Sequence, residues 1–357
     1  MHLKQQKHVA SLRDAKPYYD TKLGSLRRVA GEDLPILKNL SIKKLLLAPN
    51  AMREPHWHAN CNELSYCLRG KLLVSMLDVG NSFSSFIVTP GQMFFIKTGA
   101  LHHIENIGNE EAEVIIAFRH EAPLDFSLSA SFGAFSDAVL GNTYDVKAEK
   151  FANIRRDTVP KYIVERKDKA EIPSTANLPN PAKFDLGAAR NGVSFDIGSA
   201  TQAKSQYWPV LNDIAMYSLV VEEDGMREPH WHPFTAEMGY VHKGRARMTV
   251  MDPDGSLDTY TLGPGDVYFI PAAYPHQIEV IAEEEIHFLI FFDAPMPGDV
   301  GFRTAATALS REVLASTLEV PLSQLPDFPF TTTDPLIVGR VNPLDPVEDQ
   351  ETASQKG

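Results

Sequence analysis

Cysteine, long apolar runs and excess positive charge are all scarce in this sequence of 357 residues. Its two cysteines, Cys61 and Cys67, are too few for a disulfide framework or a four-cysteine zinc site. No apolar run reaches the roughly 18 residues of a membrane span, and the polar start lacks a signal-peptide core. Lysine and arginine number 34 against 46 acidic residues, a net charge of −12 that disfavours nucleic acid and anionic membranes as partners. We therefore expect a cytoplasmic protein with no nucleic-acid or membrane partner.

A long internal repeat determines the predicted domain organisation. Residues 52–58 read Met-Arg-Glu-Pro-His-Trp-His, and residues 226–232 read the same, at an offset of 174. The same offset relates further identical pairs without a gap: Pro35 and Pro209, Gly70 and Gly244, Ser136 and Ser310. Such self-similarity indicates a tandem duplication. We predict a first domain at 20–150, a linker at 151–193, a second domain at 194–335 and a C-terminal tail at 336–357.

Short strand-like runs fill each repeat. Runs such as 72–77 and 247–251 have the composition of strands and end at turn residues. Many short strands with Pro-Gly turns predict an all-β fold of two tandem closed or double-sheet barrels. A short helix should follow each barrel, at 136–140 and 310–318, because each segment begins with a serine suited to the N-cap.

Histidine and glutamate recur at fixed spacing in both repeats. Two histidines flank a tryptophan, so on a strand both imidazoles point to the same face. A glutamate follows five residues after the second histidine, and a further histidine follows 46 residues after the first. Three imidazoles and one carboxylate suit manganese or iron(II) and leave positions open for water, substrate or dioxygen. The candidate metal ligands are His56, His58, Glu63 and His102 in the first repeat, and His230, His232, Glu237 and His276 in the second.

These motifs resemble the cupin signature, in which His-x-His is followed by Glu, Gly, Pro-Gly and a further His. Two copies resemble a bicupin, and the Arg-Glu-Pro-His-Trp-His form is similar to the oxalate decarboxylase group; the first copy also resembles germin-type oxalate oxidases. The resemblance implies two tandem jelly-roll barrels (double-stranded β-helices), with one Mn²⁺, or alternatively Fe²⁺, per domain. It implies oxalate or a related small carboxylate as substrate and dioxygen as co-reactant. It also implies a homo-oligomer, a trimer or hexamer, in which the helices after the barrels interlock.

An arginine stands three residues before the first histidine of each repeat, at Arg53 and Arg227. The resemblance implies that these arginines lie beside the metal as catalytic residues. A guanidinium there can neutralise a dicarboxylate and bind it bidentately. The alternative is that both arginines brace a loop through salt bridges.

One stretch departs from the oxalate decarboxylase pattern. In that group a flexible lid reads Ser-Glu-Asn-Ser, and its Glu transfers the proton. The matching stretch here, at 126–132, reads Phe-Ser-Leu-Ser-Ala-Ser-Phe, so that Leu128 replaces the Glu and cannot transfer a proton. An oxidase, an iron(II) dioxygenase of another organic substrate and a non-catalytic metal- or ligand-binding protein therefore stay open. The nearby ionisable alternatives are His120, Glu121 and Asp125.

Overall fold

The computed structural model describes residues 6–281 and 284–344, which divide into two compact units. The N-terminal unit contains Ala15–Asp33 and Lys38–Ala188. The C-terminal unit contains the described residues of Met1–Asp14, Leu34–Leu37 and Ala189–Gly357. Both units consist of β-strands with a few short helices, as the sequence predicts. No helix in the described ranges is long and apolar enough to cross a membrane.

The strands are numbered β1 to β26 and the α-helices α1 to α4 in chain order, and β1 (Val9–Ser11) belongs to the C-terminal unit. The strands of the N-terminal unit are β2 (Tyr19–Thr21), β3 (Gly24–Val29), β4 (Ser41–Leu47), β5 (Ala51–His58), β6 (Glu63–Arg69), β7 (Leu72–Asp78), β8 (Ser82–Val88), β9 (Gln92–Ile96), β10 (Leu101–Asn106), β11 (Ala112–Phe118), β12 (Asp125–Ser127), β13 (Ile163–Glu165) and β14 (Lys183–Asp185). Its helices are α1 (Leu128–Ala134) and α2 (Asp137–Thr143), with 3₁₀ turns at Val79–Asn81, Ala148–Phe151 and Ser174–Asn177.

The C-terminal unit repeats this order of elements. Its remaining strands are β15 (Gly192–Phe195), β16 (Gly198–Ala203), β17 (Ala215–Val221), β18 (Gly225–Trp231), β19 (Glu237–Lys243), β20 (Ala246–Met251), β21 (Leu257–Leu262), β22 (Asp266–Ile270), β23 (His276–Val280), β24 (Ile286–Phe292), β25 (Val300–Gly301) and β26 (Ile337–Gly339). Its helices are α3 (Phe302–Ala308) and α4 (Arg311–Thr317), with a 3₁₀ turn at Leu322–Gln324.

Each unit contains two antiparallel sheets whose inward side chains share one apolar core. In the N-terminal unit the strand orders are β14-β9-β6-β11-β4-β3-β2 and β12-β5-β10-β7-β8, with β13 also paired to β5. In the C-terminal unit they are β1-β22-β19-β24-β17-β16-β15 and β21-β20-β23-β18-β25, with β26 also paired to β18. Buried aromatic rings such as Phe94 and Phe118 in the first core, and Phe288 and Phe292 in the second, fill the space between the sheets.

The structural repeat extends further along the chain than the sequence motifs indicate. β1 and β14 lie 174 positions apart, and so do β13 and β26. β1 pairs with β22, whereas β14 pairs with β9. β13 and β26 place Ile163 and Ile337 opposite Arg53 and Arg227, respectively. The stretches expected to form the linker and the start of the tail thus supply strands to the barrels, and 345–357 lie outside the described residues.

Two of the four α-helices within the described ranges match the sequence prediction. Ser136 and Ser310 are the N-caps of α2 and α4, because each hydroxyl accepts a hydrogen bond from a backbone N–H of the first turn. The helices α1 and α3, which precede them, were not predicted. α1 begins at Leu128, with Ser127 as its N-cap, so the stretch interpreted as a lid is the start of a helix.

Candidate metal centres

Strand pairing brings the candidate ligands of each repeat together inside their own barrel. In the N-terminal unit, His56 and His58 lie on β5, Glu63 begins β6, and His102 lies opposite His56 on β10. All four are buried, and one ligand atom from each lies within 4.8 Å of the others. The C-terminal unit assembles the equivalent buried group, from β18, β19 and β23 and the residue after β18: His230, His232, Glu237 and His276.

The imidazoles of the N-terminal centre are oriented by acceptors behind them. His56 Nδ1–H donates to Glu54 O at 2.8 Å, and His102 Nδ1–H donates to Ala100 O at 2.9 Å. These bonds leave the Nε2 lone pairs aimed at the centre, and His102 Nε2 is buried without a hydrogen-bond partner. A buried lone pair of this kind is costly unless it binds a cation. The orientation therefore fits a metal ion.

The carboxylate of the N-terminal centre completes this donor set. Glu63 Oε2 lies 2.8 Å from His58 Nε2 and 3.4 Å from His102 Nε2. Burial raises the pKa of Glu63, but the neighbouring His102 and His58 outweigh burial and hold that pKa below its ordinary value. Burial, with Arg53 and His102 adding to it, holds the pKa of His56 well below its ordinary value. Burial lowers the pKa of His58, but Asp125 and Glu63 outweigh burial and raise that pKa. The ionised Glu63 carboxylate and the neutral His56 imidazole match the forms in which these side chains bind metals.

The C-terminal centre has the same geometry. His230 Nδ1–H donates to Glu228 O at 2.7 Å, and His276 Nδ1–H donates to Tyr274 O at 2.9 Å. His276 Nε2 is also buried without a hydrogen-bond partner. The carboxylate Oε2 of Glu237 lies 3.6 Å from it. Both units thus present the same inward-facing donors.

The glutamates of the two centres are held by different hydroxyl groups. Ser65 donates to Glu63 Oε1 at 2.8 Å, whereas the phenol of Tyr268 donates to Glu237 Oε1 at 2.6 Å. The position equivalent to Ser65 is Gly239, and a Cβ atom there would lie 2.1 Å from the Tyr268 ring. One hydroxyl therefore serves each glutamate, although it comes from a different strand in each barrel.

Both arginines that were predicted to be catalytic residues form ion pairs next to their metal centres. Arg53 Nη2 lies 3.2 Å from Asp125 Oδ2, and Arg53 Nη1 donates to Tyr162 O at 3.2 Å. Arg227 pairs with Asp299 and donates to Leu336 O at 2.9 Å. Neither arginine was predicted to have these partners. The contacts are those of the bracing alternative, so binding of substrate by the arginines stays a proposal.

Asp125 connects the N-terminal arginine to the metal centre. Its Oδ1 accepts a hydrogen bond from His58 Nδ1 at 2.8 Å, while its Oδ2 faces Arg53 and also lies 3.2 Å from Lys43 Nζ. Burial raises the pKa of Asp125, but Lys43 and His58 outweigh burial and lower that pKa strongly. A carboxylate behind a metal-binding histidine fixes its tautomer and ring orientation. In the C-terminal centre Asp299 Oδ1 lies 3.0 Å from His232 Nδ1.

The other ionisable alternatives named from the sequence have structural contacts. Glu121 Oε2 accepts a hydrogen bond from the backbone N–H of Asn39 at 2.9 Å. His120 Nδ1 accepts one from Ala122 N–H at 2.9 Å. Neither residue belongs to the group of candidate ligands. Of the three alternatives, the structure brings only Asp125 to the centre.

A buried glutamate in the shared heptad was missed by the sequence analysis. Glu54 Oε1 accepts hydrogen bonds from Lys161 N–H at 2.6 Å and Tyr162 N–H at 2.7 Å. Its Oε2 accepts one from Ser129 Oγ, in α1, at 2.6 Å. Glu54 therefore ties α1 and the approach to β13 to the strand that carries the histidines. The same glutamate stands at the equivalent position of the second heptad, Glu228, and this repetition could have identified it from the sequence.

The structure also gathers His8, Asp252 and Asp258, which the sequence analysis did not single out. His8 Nε2 lies 3.4 Å from Asp252 Oδ2, and its Nδ1 lies 2.9 Å from Phe269 O. Lys7 Nζ lies 2.7 Å from the same Asp252 oxygen. An ammonium thus supplies positive charge to this group, and we interpret it as an ion-pair cluster beside β1.

Comparison with known proteins gives a consistent result. The cupin family model matches residues 10–151 and 184–324. The chain is 31% identical over 289 residues to oxalate decarboxylase OxdC of Bacillus subtilis, which covers 78% of this chain and 74% of that protein. It is 26% identical over 319 residues to a probable oxalate decarboxylase of Arthroderma benhamiae, covering 84% and 76%. A germin-like protein of Arabidopsis thaliana is 32% identical over 146 residues, 40% of this chain and 68% of that protein.

Solved structures agree with the sequence relatives. The structure of Bacillus subtilis oxalate decarboxylase at pH 4.6 superposes with a TM-score of 0.82 at 27% identity, covering 95% of this chain and 89% of that one. A second structure of the same enzyme, also with a TM-score of 0.82, at 26% identity, covers 95% of this chain and 90% of that one and is described with Mn(II) centres.

Proposed function

The chain belongs to the cupin family as a bicupin, and from that premise we propose a manganese enzyme that acts on oxalate or a related small carboxylate. The observation that carries the proposal is the pair of buried clusters of three histidines and one glutamate. Their imidazole Nδ1 atoms are bonded outward, while His102 Nε2 and His276 Nε2 lie buried without partners. The bicupin relatives are named as oxalate decarboxylases.

Manganese fits the residues that are present. His56, His58, Glu63 and His102 would hold one ion, and the equivalent residues of the C-terminal unit would hold another. A mixed nitrogen and oxygen set with open positions suits Mn(II) and also Fe(II). Manganese is preferred here because the solved relative has Mn(II) centres. The bound ion supplies Lewis acidity and, with dioxygen, one-electron chemistry.

Arg53 would bind the substrate carboxylate in the N-terminal unit. Its guanidinium is buried and pairs with Asp125 at the edge of the centre. A guanidinium can donate two parallel hydrogen bonds to a carboxylate, which fixes the orientation of the substrate. Asp125, through His58 Nδ1, holds the imidazole in place while the substrate binds.

We place the reaction in the N-terminal unit. A cavity of about 350 Å³ adjoins Arg53 and Asp125 there. Beside Arg227 and Asp299 the cavity measures about 20 Å³. A space of that size holds about one water molecule. The C-terminal cavity, which reaches His232 and Glu237, thus leaves much less room beside its arginine than the N-terminal cavity does beside Arg53.

Proton delivery distinguishes the possible products. Conversion of oxalate to formate and carbon dioxide consumes one proton, which must reach carbon. Oxidation of oxalate by dioxygen gives two molecules of carbon dioxide and one of hydrogen peroxide and needs no proton on carbon. Leu128 supplies no proton, and Glu54 nearby is occupied by three hydrogen bonds. We therefore expect slow formate production, with the oxidase reaction competing.

Product analysis tests this function. The protein is loaded with Mn(II), or with Fe(II) in parallel, and supplied with oxalate in air. The proposal expects two manganese ions per chain and oxalate consumption, read as carbon dioxide, formate and hydrogen peroxide. Fully manganese-loaded protein that consumes no oxalate would contradict it. Consumption with iron alone would favour the iron enzyme.

We also propose assembly into a trimer or hexamer through the helices that follow the barrels. Val139 in α2 and Val313 in α4 are exposed apolar residues. The neighbouring Leu140 is buried and Leu314 is partly buried. Exposed apolar residues at equivalent positions on two helices fit a repeated interface. Sedimentation at micromolar concentration should show an oligomer, and a monomer would contradict this assembly.

A further inference from the structure

The cavity beside Arg53 is also lined by two basic residues, Arg28 and Lys43, to which the proposed function gives no role. Arg28, Lys43 and Arg53 line it together with Asp125, Tyr18 and Tyr162. None of the four candidate metal ligands lines it. Asp125 stands between the cavity and the centre, since one of its oxygens faces His58 and the other faces the basic residues.

Two buried cations in this wall share one carboxylate oxygen. The Lys43 and Arg53 side chains are 8% and 6% exposed, and each lies 3.2 Å from Asp125 Oδ2. Burial opposes the charged form of Lys43, but Tyr18 and Asp125 outweigh burial and raise its pKa. An aromatic ring offsets part of the cost of burying the Lys43 charge, because Lys43 Nζ lies 4.5 Å from the centroid of the Phe118 ring. Cations removed from water are costly unless they are paired, so a further anion would stabilise this wall.

The C-terminal unit replaces two basic residues of this wall, of which Arg28 also pairs with Glu32. Tyr217 occupies the position equivalent to Lys43, and Gln202 occupies that equivalent to Arg28. Asp299 there pairs with Arg227 and His232, without a lysine at the position equivalent to Lys43. The cavity beside them measures about 20 Å³ against about 350 Å³. Charge excess and open volume therefore occur together, in the N-terminal unit.

We propose that this cavity, the anion pocket of Arg28, Lys43, Arg53, Tyr18 and Tyr162, binds a carboxylate group between Lys43 and Arg53. The phenol of Tyr18 is a further donor, because its oxygen is buried without a hydrogen-bond partner. Ammonium, guanidinium and phenol groups can each donate a hydrogen bond to a carboxylate bound there. The carboxylate comes either from a free monocarboxylate or from the far end of a substrate longer than oxalate. Binding in the pocket does not depend on the reaction proposed above.

The test measures binding of acetate and of succinate to the metal-free full-length protein by titration calorimetry. Without metal, a carboxylate can bind only to protein groups. We expect one site per chain, with affinity at least about tenfold weaker in Lys43→Met, since a charge-assisted hydrogen bond is lost. Lys44→Met is the matched control, because Lys44 is the next residue on β4 and pairs with Glu113 instead. Equal affinity in Lys43→Met, or no binding to the unmodified protein, would overturn the proposal.

A second variant, Arg28→Gln, distinguishes loss of carboxylate binding from misfolding of the protein. Arg28→Gln introduces the residue of the C-terminal unit and leaves Lys43, Arg53 and Asp125 intact. It should weaken acetate binding less than Lys43→Met does and should keep the melting temperature of the unmodified protein. Acetate should raise the melting temperature of the unmodified protein and of Lys44→Met but not of Lys43→Met. An equal rise in all three would contradict a carboxylate site at Lys43.

Competition distinguishes the two sources of the carboxylate. If the pocket holds the far end of a substrate, succinate should bind the metal-loaded protein at least about tenfold more tightly than acetate, and Lys43→Met should remove that advantage. If it holds a separate anion, acetate and succinate should bind alike, and oxalate should still bind at the metal. Either result supports the pocket. A protein that turns over oxalate but binds neither probe would contradict the pocket alone.

Discussion

The two metal centres of this chain have the same donors and different surroundings. In each, three histidines and a glutamate converge, and an arginine and an aspartate pair beside them. The arginine–aspartate pair of the N-terminal unit also contacts Lys43 and borders a cavity of about 350 Å³. The pair of the C-terminal unit has Tyr217 at the position equivalent to Lys43 and borders a cavity of about 20 Å³. Both barrels thus have the metal-binding geometry, while only the N-terminal barrel has open space and additional positive charge beside its arginine. We infer a reactive N-terminal centre and a structural C-terminal one.

The largest expected effect is an increase in formate production when a proton donor is introduced at Leu128 in the N-terminal unit. Leu128→Glu places a carboxyl group at the first position of α1, where a negative charge suits the helix start. A positioned acid or base contributes about 10²–10⁴ in rate, so formate production should rise by roughly that factor. Formate release from oxalate by the manganese-loaded variant is the measurement.

Phe302→Glu is the matched control, because Phe302 is the first residue of α3 in the C-terminal unit. It should leave formate production unchanged. Equal gains from both variants would contradict the assignment of the reaction to the N-terminal unit. No gain from Leu128→Glu, with manganese bound, would argue against oxalate as the substrate.

Substitution of the N-terminal arginine should lower kcat/KM more than substitution of the C-terminal one. Arg53→Lys keeps the charge but loses the two parallel hydrogen bonds of a guanidinium, and we expect kcat/KM to fall about 10- to 100-fold. Arg227→Lys should change kcat/KM less than twofold. Steady-state rates on oxalate compare the two variants. A larger loss in Arg227→Lys would reverse the roles of the two centres.

The hydroxyls behind the glutamates should affect each metal ion separately. Ser65→Ala removes the donor to Glu63, and Tyr268→Phe removes the donor to Glu237. Loss of such a supporting contact costs about 10- to 100-fold in metal affinity. Competition with a chelator should therefore release one manganese ion per chain more easily in each single variant and both in the double variant. Loss of both ions in a single variant would show that the centres are coupled.

The smallest effect concerns a core position. Cys67 is fully buried, burial raises the pKa of its thiol to about 12, and the equivalent residue of the other unit is Val241. Cys67→Val should change the free energy of unfolding by less than about 1.5 kcal/mol, because it keeps a small apolar side chain. Denaturant unfolding measures this. A loss of activity at unchanged stability would give the thiol a role that its contacts do not indicate.

The sequence was sufficient to predict the barrels and the ligand clusters, because both depend on spacing that the duplication displays twice. The pair of His56 and His58 on one strand needed only the two-residue period of β-structure. The strands β13 and β26 were missed because each is three residues long and lies in a stretch rich in turn-forming residues. The contact of Lys43 with Asp125 joins residues 82 positions apart, and no local pattern predicts it.

Metal content and turnover of two matched variants test the central claim most directly. His58→Ala and His232→Ala each remove one candidate ligand from equivalent positions. Each should retain one manganese ion per chain instead of two, because the ligand clusters lie in separate units. Oxalate consumption should disappear in His58→Ala and persist in His232→Ala. Loss of consumption in His232→Ala alone, with the N-terminal ion still bound, would contradict the account.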